Sequence, residues 1–189
     1  MTGFSLHLLR HGAPVQPGLL MGRTDGLPTV AGIAACVAQA DARDIEQIVT
    51  SDLLRCRAAA DAIGTDQGIT PFVDPRWREL DFGEWDGVAA DTLDPAALGR
   101  FWDNPDDSPP PGGECWSSLV SRVSDALTSL VPYPTLIVTH GGAIRAALHR
   151  LCGFTQRQTW SFALPYGALV SLQVWGEEKP SAQITAIHP

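Results

Sequence analysis

Two histidines stand at the ends of predicted strands, and each is followed directly by glycine. His11 follows the apolar segment Phe4–Leu9, and His140 follows the apolar segment Thr135–Thr139. A short apolar run that stops at glycine is typical of a buried strand ending in a tight turn. One strand-end histidine is more often a surface or hydrogen-bonded core residue than a catalyst, but two in matched positions favour a functional site.

An arginine that can reach the ligand crevice follows a second predicted strand, Ile45–Thr50. The run Ser51-Asp52-Leu53-Leu54-Arg55 begins a predicted helix that Ser51 or Asp52 can cap, with Arg55 one turn into it. Arg57 points about 200° around the helix from Arg55. Only one of these two guanidinium groups can therefore face the site, and the other is expected at the surface.

A third candidate feature is the segment 78–87, in which four carboxylates alternate with aromatic residues and glycines. Carboxyl groups are common proton donors in catalysis, so one of them can serve as a proton donor. The alternative is an acidic surface loop that Phe82 and Trp85 anchor to the core. The residues alone leave both interpretations open.

The elements that must position these side chains alternate between strand and helix. Predicted strands are Phe4–Leu9, Ile45–Thr50, Thr70–Val73, Thr135–Thr139, Ala168–Trp175 and Gln183–Ile187. Predicted helices are Thr29–Ala42, Asp52–Ile63, Ser117–Leu130 and Gly142–Leu151, with a short helix near Ala96–Trp102 in the loop-rich stretch 86–113. This order predicts an α/β fold with a mostly parallel sheet, helices on both faces, and a ligand crevice at the carboxyl ends of the strands.

Composition bounds the function further. The chain has 189 residues, of which 44% are hydrophobic, and this predicts one domain over residues 1–189. The net charge of −8 opposes electrostatic binding to nucleic acid or to an anionic membrane. Four dispersed cysteines, and the lack of a visible secretion signal or membrane span, favour a cytoplasmic protein with reduced thiols.

The candidate residues stand in an order that resembles the histidine phosphatase superfamily, also called phosphoglycerate mutase-like. The resemblance is carried by Leu8-Leu9-Arg10-His11-Gly12, Ser51–Arg55, Glu79 with Phe82-Gly83 and Trp85, Pro111-Gly112-Gly113-Glu114, and Thr139-His140-Gly141-Gly142-Ala143-Ile144-Arg145. It implies a three-layer α/β/α sandwich with a mostly parallel central sheet. It also implies a phosphatase that acts on a small phosphorylated metabolite and requires neither a metal nor another cofactor.

The resemblance also implies a role for each matched residue. His11 matches the nucleophile that becomes a phosphohistidine, and a backbone carbonyl near the Gly12 turn is expected to hold its tautomer. Glu79 matches the general acid, which should have a raised pKa beside the phosphate in the complex. The remaining matched groups, which are expected to bind phosphoryl oxygens, are Arg10, Arg55, His140 and the backbone N–H groups of Gly141 and Gly142. Glu114 and Arg145 are expected to be structural.

The segment after the first motif departs from the family pattern. Residues 13–17 lack the asparagine that relatives commonly carry there, so Gln16 or Thr24 is expected to supply the missing polar contact. Arg23 lies in a segment that borders the substrate opening in relatives, and we include it among the predicted substrate-binding residues. Met21, Trp102 and Trp116 lie in segments that border the same opening.

The sequence favours hydrolysis of the substrate but leaves its identity open. The runs 81–87 and 111–114 most resemble alpha-ribazole phosphatases of cobalamin biosynthesis, although phosphatases of sugar phosphates and nucleotides share these features. A phosphoglycerate mutase is one alternative, but similar mutases carry added segments that enclose the phosphoenzyme. A second alternative is a non-catalytic relative that binds a phosphorylated ligand, but retention of all five motif side chains opposes this. A monomer or a homodimer is expected.

Overall fold

The computed structural model describes residues 3–176 and 180–189. Within them, six strands form one sheet: β1 (Phe4–Arg10), β2 (Gln47–Thr50), β3 (Phe72–Val73), β4 (Thr135–Thr139), β5 (Leu169–Trp175) and β6 (Ser181–His188). The helices are α1 (Val30–Ala40), α2 (Leu54–Gln67), α3 (Pro95–Asp103), α4 (Trp116–Thr128) and α5 (Gly141–Cys152). Short 3-10 helices lie at Pro75–Trp77, Gly83–Trp85, Ala90–Thr92 and Arg157–Trp160.

The sheet has the strand order β3-β2-β4-β1-β5-β6. The strands from β3 to β1 in that order are parallel, whereas β5 runs antiparallel to β1 and β6 antiparallel to β5. The predicted α/β architecture with a mostly parallel sheet is therefore confirmed. The predicted strands and helices all occur, with ends displaced by a few residues.

Alternation along the central strands produces a hydrophobic core on each face of the sheet. Leu8 of β1 and Ile137 of β4 pack in one core, which also contains side chains of α4 and α5. Their neighbours Leu9 and Val138 pack in the other core with side chains of α1 and α2. Because successive side chains of a strand point to opposite faces, these apolar strands require a helical layer on both sides.

Local hydrogen bonds set where the helices begin, and one differs from the prediction. Thr29 caps α1 by accepting a hydrogen bond from the Gly32 N–H at 2.9 Å. Neither Ser51 nor Asp52 caps α2. Instead, the Asp25 carboxylate accepts from the Leu54 N–H at 2.6 Å, and Asp52 forms an ion pair with Arg78. The first turn of α2 is therefore tied to a loop that precedes it by about thirty residues in the chain.

The register of the parallel strands gathers the motifs at one edge. Arg10 of β1 pairs with Thr139 of β4, and Thr50 of β2 pairs with Val138 of the same strand. His11, Ser51 and His140 are the next residues in their respective segments, so all three emerge together. The described ranges contain no helix with both the length and the apolar character needed to cross a membrane.

Candidate active site

His11 and His140 lie side by side at the carboxyl ends of β1 and β4. Their ring centroids are 5.2 Å apart, and the rings meet edge to face. His11 is 5% exposed and His140 is fully buried. With Arg10 and Arg55 they form what we call the strand-end cluster, and the structure thus brings together four of the five catalytic residues predicted from the sequence.

The Gly12 turn fixes the tautomer of His11. The Nδ1 atom of His11 lies 2.8 Å from the carbonyl oxygen of Gly12. Because a carbonyl oxygen only accepts, Nδ1 carries the proton and Nε2 keeps its lone pair. Gly12 packs directly on α1, since a Cβ at this position would lie 2.0 Å from the Gly32 carbonyl oxygen. Burial, reinforced by the charges of Arg55 and Arg10, lowers the pKa of His11 to about 3.

Ser51 and Cys56 hold His140 from behind. The Nε2 atom of His140 lies 3.0 Å from the Ser51 hydroxyl and 3.3 Å from the Cys56 sulfur. Burial lowers the pKa of His140 well below its usual range, and the charges of Arg55 and Arg10 act in the same direction. Both imidazoles are therefore neutral at neutral pH. Ser51, predicted as a possible helix cap, instead contacts the second histidine.

The two arginines of the cluster are anchored by backbone carbonyls. Arg55 is fully buried and donates to the carbonyl oxygens of Met21 and Thr24 at 2.8 and 2.7 Å. Arg10 donates to the Leu164 carbonyl, and its guanidinium lies 4.2 Å from the centre of the Tyr166 ring. Within the described part of the chain, the Nε atoms of both arginines are buried without an acceptor. Two unsatisfied cationic donors are suited to an anion.

The exposed position of Arg57 agrees with the helical geometry expected from the sequence, since Arg55 faces inward and Arg57 faces solvent. Neither Arg55 nor His140 reaches the surface of the large cavity described below. His140 meets the His11 ring edge to face, and the charge of Arg55 lowers the pKa of His11, so both act on His11 from the protein side.

Glu79 lies at the amino-terminal end of α5. Its Oε2 atom accepts from the Gly142 N–H at 3.0 Å, and its Oε1 atom accepts from the Leu80 N–H at 2.9 Å. A side chain at position 142 would lie 2.1 Å from Glu79, so glycine is required there for the carboxylate to approach. Gly141 and Gly142 both line the cavity, but the Gly142 N–H, predicted to be open to an anion, is already bonded to Glu79.

An arginine that the sequence did not reveal holds the segment carrying Glu79. Arg122 of α4 donates to the carbonyl oxygens of Arg76, Arg78 and Glu79 at 2.8, 2.7 and 2.7 Å. The same guanidinium forms a two-pronged ion pair with Glu114 at 2.8 and 2.9 Å. We call Arg122 and Glu114 the brace. Glu114 therefore makes the loop-bracing contact that was expected from the sequence.

A cavity of about 220 Å³ opens above His11. Arg10, Glu79 and Gly141 border it near the strand ends. Its outer side is formed by Phe101 and Trp102 of α3 and by Trp160 of the last 3-10 helix, which together we call the aromatic wall. The sequence had placed Met21, Trp102 and Trp116 near the opening, and all three line the cavity. Lining residues that it had not singled out include Leu19, Gln156, Trp160 and Tyr166.

The structure does not bring Gln16, Thr24 or Arg23 into this cavity. Gln16 and Thr24 are exposed, and Thr24 contributes its carbonyl to Arg55 rather than a hydroxyl to the site. The Arg23 guanidinium is turned toward Asp81, at 3.1 Å. The cavity lining therefore does not include these three predicted contacts, and the carbonyl groups of Met21 and Thr24 support Arg55 instead. Across residues 3–176 and 180–189, no group of three or more metal-ligating side chains is gathered.

Comparison with known proteins identifies relatives over almost the whole chain. A family model described as the histidine phosphatase superfamily (branch 1) matches residues 6–185. A probable phosphoglycerate mutase GpmB of Yersinia pestis (strain Pestoides F) is 31% identical over 160 residues, which cover 78% of this chain and 74% of the relative.

Two solved structures are similar over nearly their full length. The protein TTHB049 from Thermus thermophilus is 30% identical, with a TM-score of 0.78 and coverage of 98% of this chain and 99% of that one. A mycobacterial glucosyl-3-phosphoglycerate phosphatase is 25% identical, with a TM-score of 0.85 and coverage of 97% of both chains.

Proposed function

The chain belongs to branch 1 of the histidine phosphatase superfamily, whose enzymes are phosphatases or mutases, and on this premise we propose that it is a phosphomonoesterase in which His11 is the nucleophile. The observation that carries the proposal is the contact between His11 Nδ1 and the Gly12 carbonyl. It leaves Nε2 unprotonated beside two guanidinium groups, which is the state required for attack on phosphorus.

The reaction proceeds in two displacements. In the first, the Nε2 lone pair of His11 attacks phosphorus, the bond to the ester oxygen breaks, and Glu79 delivers its proton to the departing alkoxide. In the second, water attacks the phosphohistidine, Glu79 takes a proton from that water, and the P–N bond breaks to release inorganic phosphate. His11 and protonated Glu79 are restored, and no metal enters either step.

Arg10, Arg55 and His140 bind the phosphoryl oxygens in this proposal. The buried Nε donor of Arg10 supports it, because Arg10 borders the cavity and a phosphate oxygen would satisfy that donor. Arg55 and His140 do not border the cavity, so a phosphoryl oxygen contacts them only where it extends past the cavity lining. The neutral state of His140 supports it as well, since a neutral imidazole donates one N–H without opposing the charge of the arginines. The burial of these groups strengthens their interaction with the transferring phosphoryl group.

For the substrate, we propose alpha-ribazole 5'-phosphate as the first candidate. The proposal rests on the likeness of residues 81–87 and 111–114 to alpha-ribazole phosphatases. The aromatic lining of the cavity supports it, because the base of this nucleotide analogue is a flat apolar ring system. Phosphoryl transfer of the mutase type is the competing function, favoured by the similarity to the Yersinia protein.

Phosphate release and phosphoenzyme trapping test the proposed mechanism. We expect free phosphate from a phosphomonoester, an acid-labile and base-stable phosphoenzyme, and unchanged turnover in a chelator. His11→Asn should abolish both signals, whereas His188→Asn, on the edge strand β6, should keep them. Turnover by His11→Asn would refute the mechanism. Interconversion of phosphoglycerates with little phosphate release would establish a mutase instead.

A substrate panel tests the finer proposal. Alpha-ribazole 5'-phosphate, sugar phosphates, nucleotides and phosphoglycerates should be compared by kcat/KM under one condition. We expect the first to exceed the others. Equal weak rates on all of them would remove the cobalamin assignment but leave the phosphatase mechanism intact.

A further inference from the structure

The cavity above His11 is polar at its base and apolar along its sides. The charged side chains of Arg10, Glu79 and Arg145 and the neutral imidazole of His11 border it. Among the other lining residues that the structure describes, Gln156 and Tyr166 carry the neutral polar side chains, apart from the indole N–H groups. The remaining lining side chains are aliphatic or aromatic. The group that occupies this space beyond the phosphate therefore meets mainly carbon.

This lining discriminates between classes of leaving group. A sugar or glycerate would bury several hydroxyl or carboxylate oxygens here, and each buried polar group without a partner costs about 1–3 kcal/mol. An aromatic or aliphatic group has no such requirement and gains from leaving water. The lining thus favours an apolar alcohol portion over a polyol.

The outer part of the aromatic wall is held in place by stacking. Trp102 and Trp160 meet edge to face with ring centroids 5.0 Å apart, and Trp102 also packs on Phe101 at 4.7 Å. The Arg145 guanidinium lies 3.9 Å from the centre of the Trp160 ring. The two tryptophans are 38% and 47% exposed, so a bound aromatic group would cover surface that now faces solvent.

Arg145 is committed to this scaffold. It is buried and donates to the backbone carbonyls of Thr159 and Phe162, which lie on either side of Trp160 in the chain. Its charge is therefore already engaged by carbonyl dipoles and by the indole face. We assign Arg145 to the support of Trp160 rather than to a substrate carboxylate.

We propose that the enzyme acts on phosphomonoesters whose alcohol portion carries an aromatic or otherwise apolar group, as alpha-ribazole carries its flat base, and that Trp102 and Trp160 bind that group. The proposal rests on the proposed phosphatase function, because the bound group is the leaving group of the attack by His11. It separates this chain from the substrates named for its relatives, phosphoglycerate and glucosyl-3-phosphoglycerate, which are rich in oxygen.

The test compares two esters of primary alcohols, 2-phenylethyl phosphate and glycerol 1-phosphate. Their leaving alkoxides are similarly basic, so a difference in kcat/KM reports the contact with the alcohol portion rather than leaving-group reactivity. We expect 2-phenylethyl phosphate to be favoured by roughly 10- to 100-fold, as burial of a phenyl group implies. A ratio near one, or a preference for glycerol 1-phosphate, glucose 6-phosphate or 3-phosphoglycerate, would overturn the proposal.

Variants locate the contact. Trp102→Ala and Trp160→Phe should reduce the preference for 2-phenylethyl phosphate, the former by roughly tenfold, while the kcat/KM for glycerol 1-phosphate stays within about twofold. Phe72→Ala is the matched control, because Phe72 is 66% exposed on the edge strand β3. An equal loss on both substrates would show that the tryptophans are structural and would refute their binding role.

Two failures are distinguishable. If neither ester releases phosphate and no phosphohistidine forms, the proposed function is wrong, and this inference falls with it. If both esters are hydrolysed through His11 at equal kcat/KM, the phosphatase proposal stands and the inference about the leaving group is refuted.

Discussion

The strand-end cluster, through Arg10 and His11, borders the same cavity as the aromatic wall, but the two are built differently. The cluster consists of buried polar side chains whose positions are fixed by hydrogen bonds, such as the one between His11 and Gly12. The wall consists of partly exposed rings, such as Trp102 and Trp160, that are positioned mainly by stacking. Chemistry and selectivity are therefore assigned to separate parts of the molecule.

The difference matters because the two kinds of contact respond differently to substitution. Removing a buried charged donor leaves its partners unsatisfied and removes charge stabilisation from every substrate. Trimming a partly exposed ring loses a contact in proportion to the apolar area that one substrate buries. Tyr166 extends the cluster along the cavity, since its ring lies over the Arg10 guanidinium and 5.4 Å from the His11 ring.

The largest effect that separates the two parts is expected from Arg55. Arg55→Ala should lower kcat/KM by roughly 10²- to 10³-fold, and by the same factor for apolar and polar esters, because the phosphoryl group is common to both. Arg57→Ala, on the exposed side of the same helix, should leave kcat/KM unchanged. Kinetics on 2-phenylethyl and glycerol phosphates provide the measurement.

Arg55→Lys separates a structural loss from a lost phosphate contact, because lysine keeps the charge without the planar fork. We expect this variant to remain folded and still lose activity. A loss that depended strongly on the alcohol portion would contradict the division between cluster and wall.

The next largest effect is expected in the pH dependence of the free energy of unfolding. It arises from the two histidines of the cluster, and the aromatic wall does not contribute to it. His11 has a folded-state pKa of about 3, whereas its unfolded value is near 6.5. Between these values the unfolded chain binds the extra proton, so stability falls as pH decreases. His140 acts in the same direction. At pH 5, the His11 imidazole should make folding about 2 kcal/mol less favourable than at pH 7, and His140 adds to this loss.

Urea unfolding at pH 7 and pH 5 measures this effect. His11→Asn should reduce the proton uptake on unfolding by one, so its free energy of unfolding should fall less between pH 7 and pH 5. Trp102→Ala should change the free energy of unfolding equally at both pH values, because the indole does not titrate. Identical pH dependence in wild type and His11→Asn would show that His11 is not held neutral by the fold.

The sequence predicted the cluster well because its residues are fixed by local pattern. An apolar strand followed by His-Gly determines both where the strand ends and what emerges there, as at His11 and His140. The period of an α-helix likewise decides between Arg55 and Arg57. The Gly12 contact with His11 was predictable for the same reason, since it spans adjacent residues.

The wall and the brace were not predictable because they depend on packing between distant segments. Trp160 contacts Trp102, which lies more than fifty residues away in the chain. Arg122 donates to three backbone carbonyls, and the sequence around Arg122 contains no motif that predicts these contacts. The prediction of the α2 cap was wrong for the same reason. The first turn of α2 donates to Asp25, which lies far upstream in the chain, and not to the adjacent Ser51 or Asp52. Sequence periodicity locates elements but does not specify which loops meet.

Substitutions in the brace should reduce kcat less than substitutions in the cluster. Unlike substitutions in the cluster or the wall, their effect should depend on the basicity of the leaving group. Arg122→Ala should lower kcat roughly tenfold for alkyl phosphates but leave kcat for 4-nitrophenyl phosphate within about twofold, because a good leaving group needs little protonation by Glu79. Glu114→Gln, which keeps the shape but weakens the ion pair, should give a smaller loss with the same dependence on the leaving group. Equal losses on both ester types would indicate general damage rather than positioning of Glu79.

The smallest effect on kcat/KM is expected from Arg23, which lies outside the cavity lining although the sequence had predicted a substrate contact there. Arg23 and Asp81 form an ion pair in which the side chains are 36% and 33% exposed, so solvent screens the interaction and it is worth about 1 kcal/mol or less. Arg23→Ala should therefore change kcat/KM by less than about threefold for either ester, and Asp81→Asn should match it, with no further loss in the double variant. If Arg23→Ala alone raised KM more than tenfold while Asp81→Asn did not, the guanidinium would be leaving Asp81 to bind substrate. The division between cluster and wall would then have to include this loop as a third part of the site.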